Sequence, residues 1–169
     1  GLYYPKRGEV LINDKPIEKY SIEEYRERTS VLFQDFLKYE GSLRENVILG
    51  DIRRDSIDDN VKVALNKANV DFLCQEEEYS LDRILGNWFD NGSQLSGGQW
   101  QKIALARVYY KEADIYLLDE PSSALDATAE LRIFNSFFEV SKEKIAIYTT
   151  HRVKIAKNAT KIIVIDEGK

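Results

Sequence analysis

The chain has 169 residues, a formal net charge of −5 and one cysteine, with 43% hydrophobic and 31% charged residues. That length allows one domain with a sizeable core, and the composition excludes wholesale disorder. The acidic balance argues against a general phosphate-backbone binder, and the single Cys74 excludes an internal disulfide or a zinc site, so a reducing compartment is expected.

Taken in chain order, the first strand-like run is VLF at 31–33, followed by Gln34. The segment 42–95 reads differently. Ser56-Ile57-Asp58-Asp59 has the character of a helix start, and Val61, Ala64, Leu65 and Ala68 recur at helical spacing. No strong strand follows, so 42–95 is expected to be a mostly helical insertion in an α/β core made of 1–41 and 96–169. Cys74 is expected to be a small apolar side chain within that helical region. Residues 97–111 and 127–140 read as helices, and 152–157 as a shorter one. IYLL at 115–118, IAIY at 145–148 and IIVI at 162–165 are nearly continuous apolar runs, as in strands buried on both faces of a parallel sheet. Strand, helix and strand in alternation predict an α/β fold with crossover connections.

No apolar run approaches the roughly 20 residues that a membrane helix needs. Any membrane association is therefore expected to come through a partner or through sequence outside this chain. The start on GLYY, without Met, and the end on IDEGK suggest a piece of something longer.

Two stretches carry chemistry. IYLLDE ends an apolar strand in Asp119 and Glu120, and in open α/β sheets ligands sit beyond the carboxyl ends of strands. There one acid can hold Mg²⁺ and the next can polarise an attacking water; exposed acids simply ending a strand are the plainer alternative. LSGGQ at 95–99 opens the helix 97–111. Free N–H groups at a helix N-terminus attract anions, glycine lets an anion approach the backbone, and Ser96 can donate a further hydrogen bond. Ser96 could equally serve as an ordinary helix cap.

Order and spacing join these stretches. Gln34 follows VLF, LSGGQWQKIALAR precedes IYLLDEPSSALD, and the lone His151 follows KIAIYTT. In this the sequence resembles the nucleotide-binding domain of ATP-binding cassette (ABC) proteins over nearly its whole length. Gln34 matches the Q-loop, Leu95–Gln99 the signature motif, Ile115–Glu120 the Walker B strand with its glutamate, Ser123–Asp126 the D-loop and His151 the switch histidine. The resemblance implies a P-loop NTPase-like core with a mainly parallel sheet, an inserted α-helical subdomain at 42–95, and ATP with Mg²⁺ as ligands. It implies that Asp119 supports Mg²⁺ and Glu120 acts as catalytic base. His151 would contact the γ-phosphate, and Gln34 the Mg²⁺ or the attacking water. It also implies a head-to-tail pair of such domains, in which Ser96, Gly97, Gly98 and Gln99 cap the nucleotide held by the partner and Asp126 works at the interface.

The Walker A pattern G-x-x-x-x-G-K-[ST] does not occur; the one Gly-Lys pair is Gly168-Lys169. In the family that motif lies shortly before a stretch like GLYYPKRGEVLIN. Its strand and helix are therefore expected to be missing here, leaving a chain that binds ATP poorly, does not hydrolyse it, and has unpaired neighbouring strands. FQDFLKYEGSLRENVILG looks like the exporter branch, with a membrane domain fused upstream, and resembles bacterial exporters of peptides such as lantibiotics. The expected setting is the cytoplasmic face of the cell membrane, with no nucleic-acid partner. The alternative is a soluble ABC ATPase acting on DNA or the ribosome. The short spacing from Gln34 to LSGGQ, without sustained heptads, counts against it.

Overall fold

A computed structural model describes residues 5–75, 78–88 and 90–166. The chain starts with a short antiparallel pair, β1 (Leu11–Ile12) and β2 (Lys15–Pro16), then α1 (Ile22–Glu27) and β3 (Thr29–Leu32). Next come α2 (Leu43–Ile48), α3 (Asp58–Lys67) and a second antiparallel pair, β4 (Cys74–Gln75) and β5 (Glu78–Tyr79). The remainder alternates: α4 (Gly97–Tyr110), β6 (Ile115–Leu118), α5 (Ala127–Val140), β7 (Ile145–Tyr148) and α6 (Val153–Ala156). β3, β6 and β7 form a parallel sheet with β6 in the middle, so the molecule is α/β with crossover connections, as the apolar pattern predicts.

The helix α4 lies at the centre of the packing. Its first turn is closed by a capping box, in which Ser96 accepts from the Gln99 amide and Gln99 accepts from the Ser96 amide. Beyond the cap, Trp100, Ile103, Ala104, Leu105, Ala106, Val108, Tyr109 and Tyr110 are all buried. A helix apolar all round must have neighbours all round, and α4 has α2, α3 and β3 against it. Polar ties fix these neighbours. Arg107 donates to the carbonyls of Asn46 and Leu37, and Lys102 donates to the Asn69 carbonyl. Burial lowers the pKa of the Arg107 guanidinium from its ordinary value.

α5 covers the same face of the sheet. Asp126 caps it by accepting from the amides of Thr128 and Ala129, and Ile133, Phe134 and Phe137 form its buried stripe. The Tyr148 ring lies 5.3 Å from that of Phe134 and 6.0 Å from that of Phe137, and Tyr116 meets Phe137 edge-on at 6.5 Å.

Three expectations need correction. The run 162–165 is not a strand: Ile162, Ile163, Val164 and Ile165 are 54–80% exposed and pair with no strand among the described residues. β-structure needs a neighbour, and β7 is the sheet edge. Nor is the sheet buried on both faces, because Val31, Ile145 and Ile147 point to a face that no described element covers. Cys74 lies in the short strand β4 and not in a helix. The segment 42–95 does carry α2 and α3, with Val61, Ala64, Leu65 and Ala68 buried as their spacing predicts. α3 begins at Asp58 without a side-chain cap from Ser56. Asp58 and Asp59 in its first turn complement the helix dipole, and Asp58 pairs with Arg44.

Candidate functional site

The register of the parallel sheet builds the site. Leu32, Leu118 and Tyr148 stand in one row across β3, β6 and β7. All three strands run the same way, so the residues just beyond that row gather at one end of the sheet. They are Gln34 from β3, Asp119 and Glu120 from β6, and Thr149 and His151 from β7. Gln34 is exposed there.

Asp119 and Glu120 are held by Thr149, whose importance the sequence reading missed. The Thr149 hydroxyl donates to Asp119 Oδ1 at 2.6 Å and accepts from the Glu120 amide at 3.0 Å. The Thr149 amide donates to the Leu118 carbonyl and the Asp119 amide to that of Leu32, which zips the strand ends together up to the acids. His151 Nδ1 lies 3.5 Å from Glu120 Oε1, with the imidazole largely exposed. Glu120 has φ +44°, a left-handed backbone uncommon for a residue with a side chain and shared in this chain with Asn13, Asp14, Asn69, Glu112 and Glu143.

The Glu120–Asp126 loop leads from these acids to α5 and lies against the start of α4. Gly98 approaches it so closely that a Cβ would sit 2.7 Å from the Ala124 carbonyl oxygen, whereas one on Gly97 would meet only the Ala124 methyl at 3.8 Å. The second glycine of LSGGQ therefore has a packing reason within its own chain, while the first would tolerate a Cβ at ordinary van der Waals distance. Ser96 and Gln99 are engaged with each other in the capping box. The amide groups of Ala129, and then of Thr128, hold the Asp126 carboxyl below its usual pKa.

Behind the loop, Glu130 of α5 is 5% exposed. It accepts from Ser122 Oγ at 2.5 Å and from Arg152 Nη1 at 2.5 Å. The residue after His151 is thus anchored to the loop that follows Glu120. The available signal was positional: Glu130 is a charge on the stripe otherwise formed by Ala129, Ile133, Phe134 and Phe137, and such a charge must have a buried partner.

Mg²⁺ is ordinarily held by one or two carboxylates together with substrate phosphates, and Asp119, oriented by a hydroxyl, fits that donor set. Among the described residues no group of three or more His, Cys, Asp or Glu side chains could hold a metal ion, so a cation here would depend on phosphate oxygens. No helix among the described residues is long and apolar enough to cross a membrane.

The family described as "ABC transporter" matches residues 1–123. The chain is 48% identical over 169 residues to the subtilin transport ATP-binding protein SpaT of Bacillus subtilis. It is 47% identical over 170 residues to the nisin transport ATP-binding protein NisT of Lactococcus lactis subsp. lactis. Both alignments cover 100% of this chain and 28% of the relative, so the chain spans little over a quarter of their length. Among solved structures, a bacterial Atm1-family ABC exporter with ATP bound superposes with a TM-score of 0.84 at 28% identity, over 98% of this chain and 28% of that one. The signature helix, the acid-tipped strand β6 and the histidine after β7 thus occur together in a chain that belongs to the ABC transporter family.

Proposed function

We propose that the chain is part of an ATP-hydrolysing domain of an exporter of peptides or other amphipathic cargo. In this reading Mg²⁺ supplies charge neutralisation on the transferred phosphate when it is bound with ATP. Asp119, aligned by the Thr149 hydroxyl, holds the cation together with Gln34. Glu120 takes up the proton of the attacking water. His151, exposed beside Glu120, contacts the γ-phosphate. The observation that carries the reading is the convergence of Asp119, Glu120, Thr149 and His151 at the carboxyl ends of parallel strands.

The start of α4 is assigned to a second nucleotide, held by a partner domain in a head-to-tail pair, where Ser96, Gly97, Gly98 and Gln99 close on its phosphate and Asp126 lies at the interface. The exposure of Gly97 at the helix N-terminus supports this. A membrane domain, placing the protein at the cytoplasmic face of the membrane, is the further partner. An open groove of about 770 Å³ along β3, lined by Phe33, Phe36, Leu37, Tyr39, Leu49 and Arg107, suits a docked helix of that domain. Peptide cargo rests on the likeness to SpaT and NisT. No observation favours a soluble ATPase acting on DNA or the ribosome.

Within this reading the chain lacks the main phosphate cradle, since G-x-x-x-x-G-K-[ST] is absent from its sequence. Calorimetric titration of Mg-ATP tests this, on the chain alone and on a chain extended at its N-terminal side through that motif. Binding by the extended chain only is the expected result. Tight binding by the shorter chain would mean that its phosphate site lies elsewhere.

A further inference from the structure

Gln101 sits in the second turn of α4, 1% exposed, on the helix face that continues through the buried Ala104, Leu105 and Val108. Its side chain satisfies three groups of the Glu120–Asp126 loop. Nε2 donates to the Glu120 carbonyl at 3.2 Å and to Ser123 Oγ at 3.3 Å, and Oε1 accepts from the Ala124 amide at 3.1 Å. Gly98, three residues earlier and so on the same face of the helix, packs against the Ala124 carbonyl. The first two turns of α4 and the loop are thus fastened at two successive points.

The loop has a reason to need fastening. Glu120 is in the left-handed region, and its peptide groups are held on both sides: the amide by Thr149 Oγ1, the carbonyl by Gln101 Nε2 and the Ser123 amide. A buried amide offering both donors and an acceptor can do this where an apolar side chain of the same size cannot.

We infer that Gln101 is a positioning residue: it fixes Glu120 in its left-handed conformation and locks the start of α4 to the Glu120–Asp126 loop, so that the two move as one body. This rests on the proposed function. There, the start of α4 closes on the partner's nucleotide while Glu120 serves the chain's own, and Gln101 connects the two sites mechanically. ATP that draws the helix start toward the partner brings Glu120 with it.

The test uses the intact transporter containing this chain, with Gln101→Met and Gln101→Glu. Met removes both the donors and the acceptor. Glu keeps the size and the acceptor for the Ala124 amide, but its ionised form cannot donate to the Glu120 carbonyl. Steady-state ATP hydrolysis is measured with nucleotide-binding stoichiometry by calorimetry, so that turnover is expressed per bound nucleotide. Both variants should lose about ten- to a hundredfold in kcat per bound nucleotide, with KM for ATP within about twofold of the unsubstituted protein. A residue that served only packing would lower turnover and binding stoichiometry together. Unsubstituted kcat per bound nucleotide in either variant overturns the positioning role. If Gln101→Met does not fold, Gln101→Glu decides alone. Absence of hydrolysis by the unsubstituted transporter overturns the proposed function, and this role with it; hydrolysis that the variants match overturns the role alone.

Discussion

α4 and the segment formed by β7 with residues 162–165 are similarly apolar on paper and opposite in the structure. Ile103, Ala104, Leu105 and Ala106 of α4 are fully enclosed, whereas Ile147 is 58% and Ile163 75% exposed. The difference lies in the neighbours. α4 is surrounded by α2, α3, β3 and the Glu120–Asp126 loop, while β7 has β6 on one side and no described strand on the other. An apolar run states what a segment needs; whether the need is met depends on other parts of the chain.

Substitutions can break or sharpen this contrast. The largest effect is expected from Leu105→Ala, which opens a cavity beside α4 and should cost about 3 kcal/mol in urea denaturation. Ile163→Ala should change the same transition by less than about 0.5 kcal/mol. In a chain extended upstream, where the proposed function supplies a further strand, the loss at Ile147 or Ile163 should grow severalfold. Equal losses at Leu105 and Ile163 in the chain as it stands would erase the distinction.

Glu130→Ala comes next, since it leaves Arg152 without its carboxylate and Ser122 without its acceptor. With the Arg152 side chain a third exposed, the expected loss is roughly 2–3 kcal/mol, somewhat less than for a fully buried pair. Smaller still, Gly98→Ala should cost about 1–2 kcal/mol, because its Cβ meets the Ala124 backbone. Gly97→Ala should be neutral or stabilising by a few tenths of a kcal/mol, since its Cβ meets the Ala124 methyl only at ordinary contact distance and alanine favours a helix. A larger loss at Gly97 than at Gly98 would contradict the packing described here. The smallest effect concerns pH. The Asp126 carboxyl titrates below its ordinary value. Its stabilising contribution to α5 is therefore fully present above about pH 4 and fades as the pH falls through the lowered pKa. Asp126→Asn should flatten that part of the acid-unfolding curve, which circular dichroism can follow.

Much of this was legible from the sequence, for identifiable reasons. α4 and α5 begin where Ser96-x-x-Gln99 and Asp126 place their caps, because capping is a local chemistry of three or four residues. The parallel order of β3, β6 and β7 follows from strand–helix alternation. The positions of Gln34, Asp119, Glu120 and His151 at one end of the sheet follow from that order. The remainder required contacts between segments far apart in the chain. Thr149 looked like one of two threonines ending a strand, and only the register with β6 reveals that it bridges the two acids. Gln101 and Glu130 are polar residues on apolar helix faces. Their spacing indicates burial, but their partners lie in a loop that no periodicity describes. The exposure of 162–165 was illegible for the converse reason: its composition is that of a buried strand.

The backbone of Glu120 bears on how this region can change over evolutionary time. A left-handed conformation costs a residue with a side chain about 1 kcal/mol that glycine would avoid. Selection for stability alone would therefore drive this position toward a residue with no acid to offer. Under the proposed function, a glutamate here keeps its acid at that cost, and a lineage that ceased to need ATP turnover would find glycine at 120 among its stabilising substitutions.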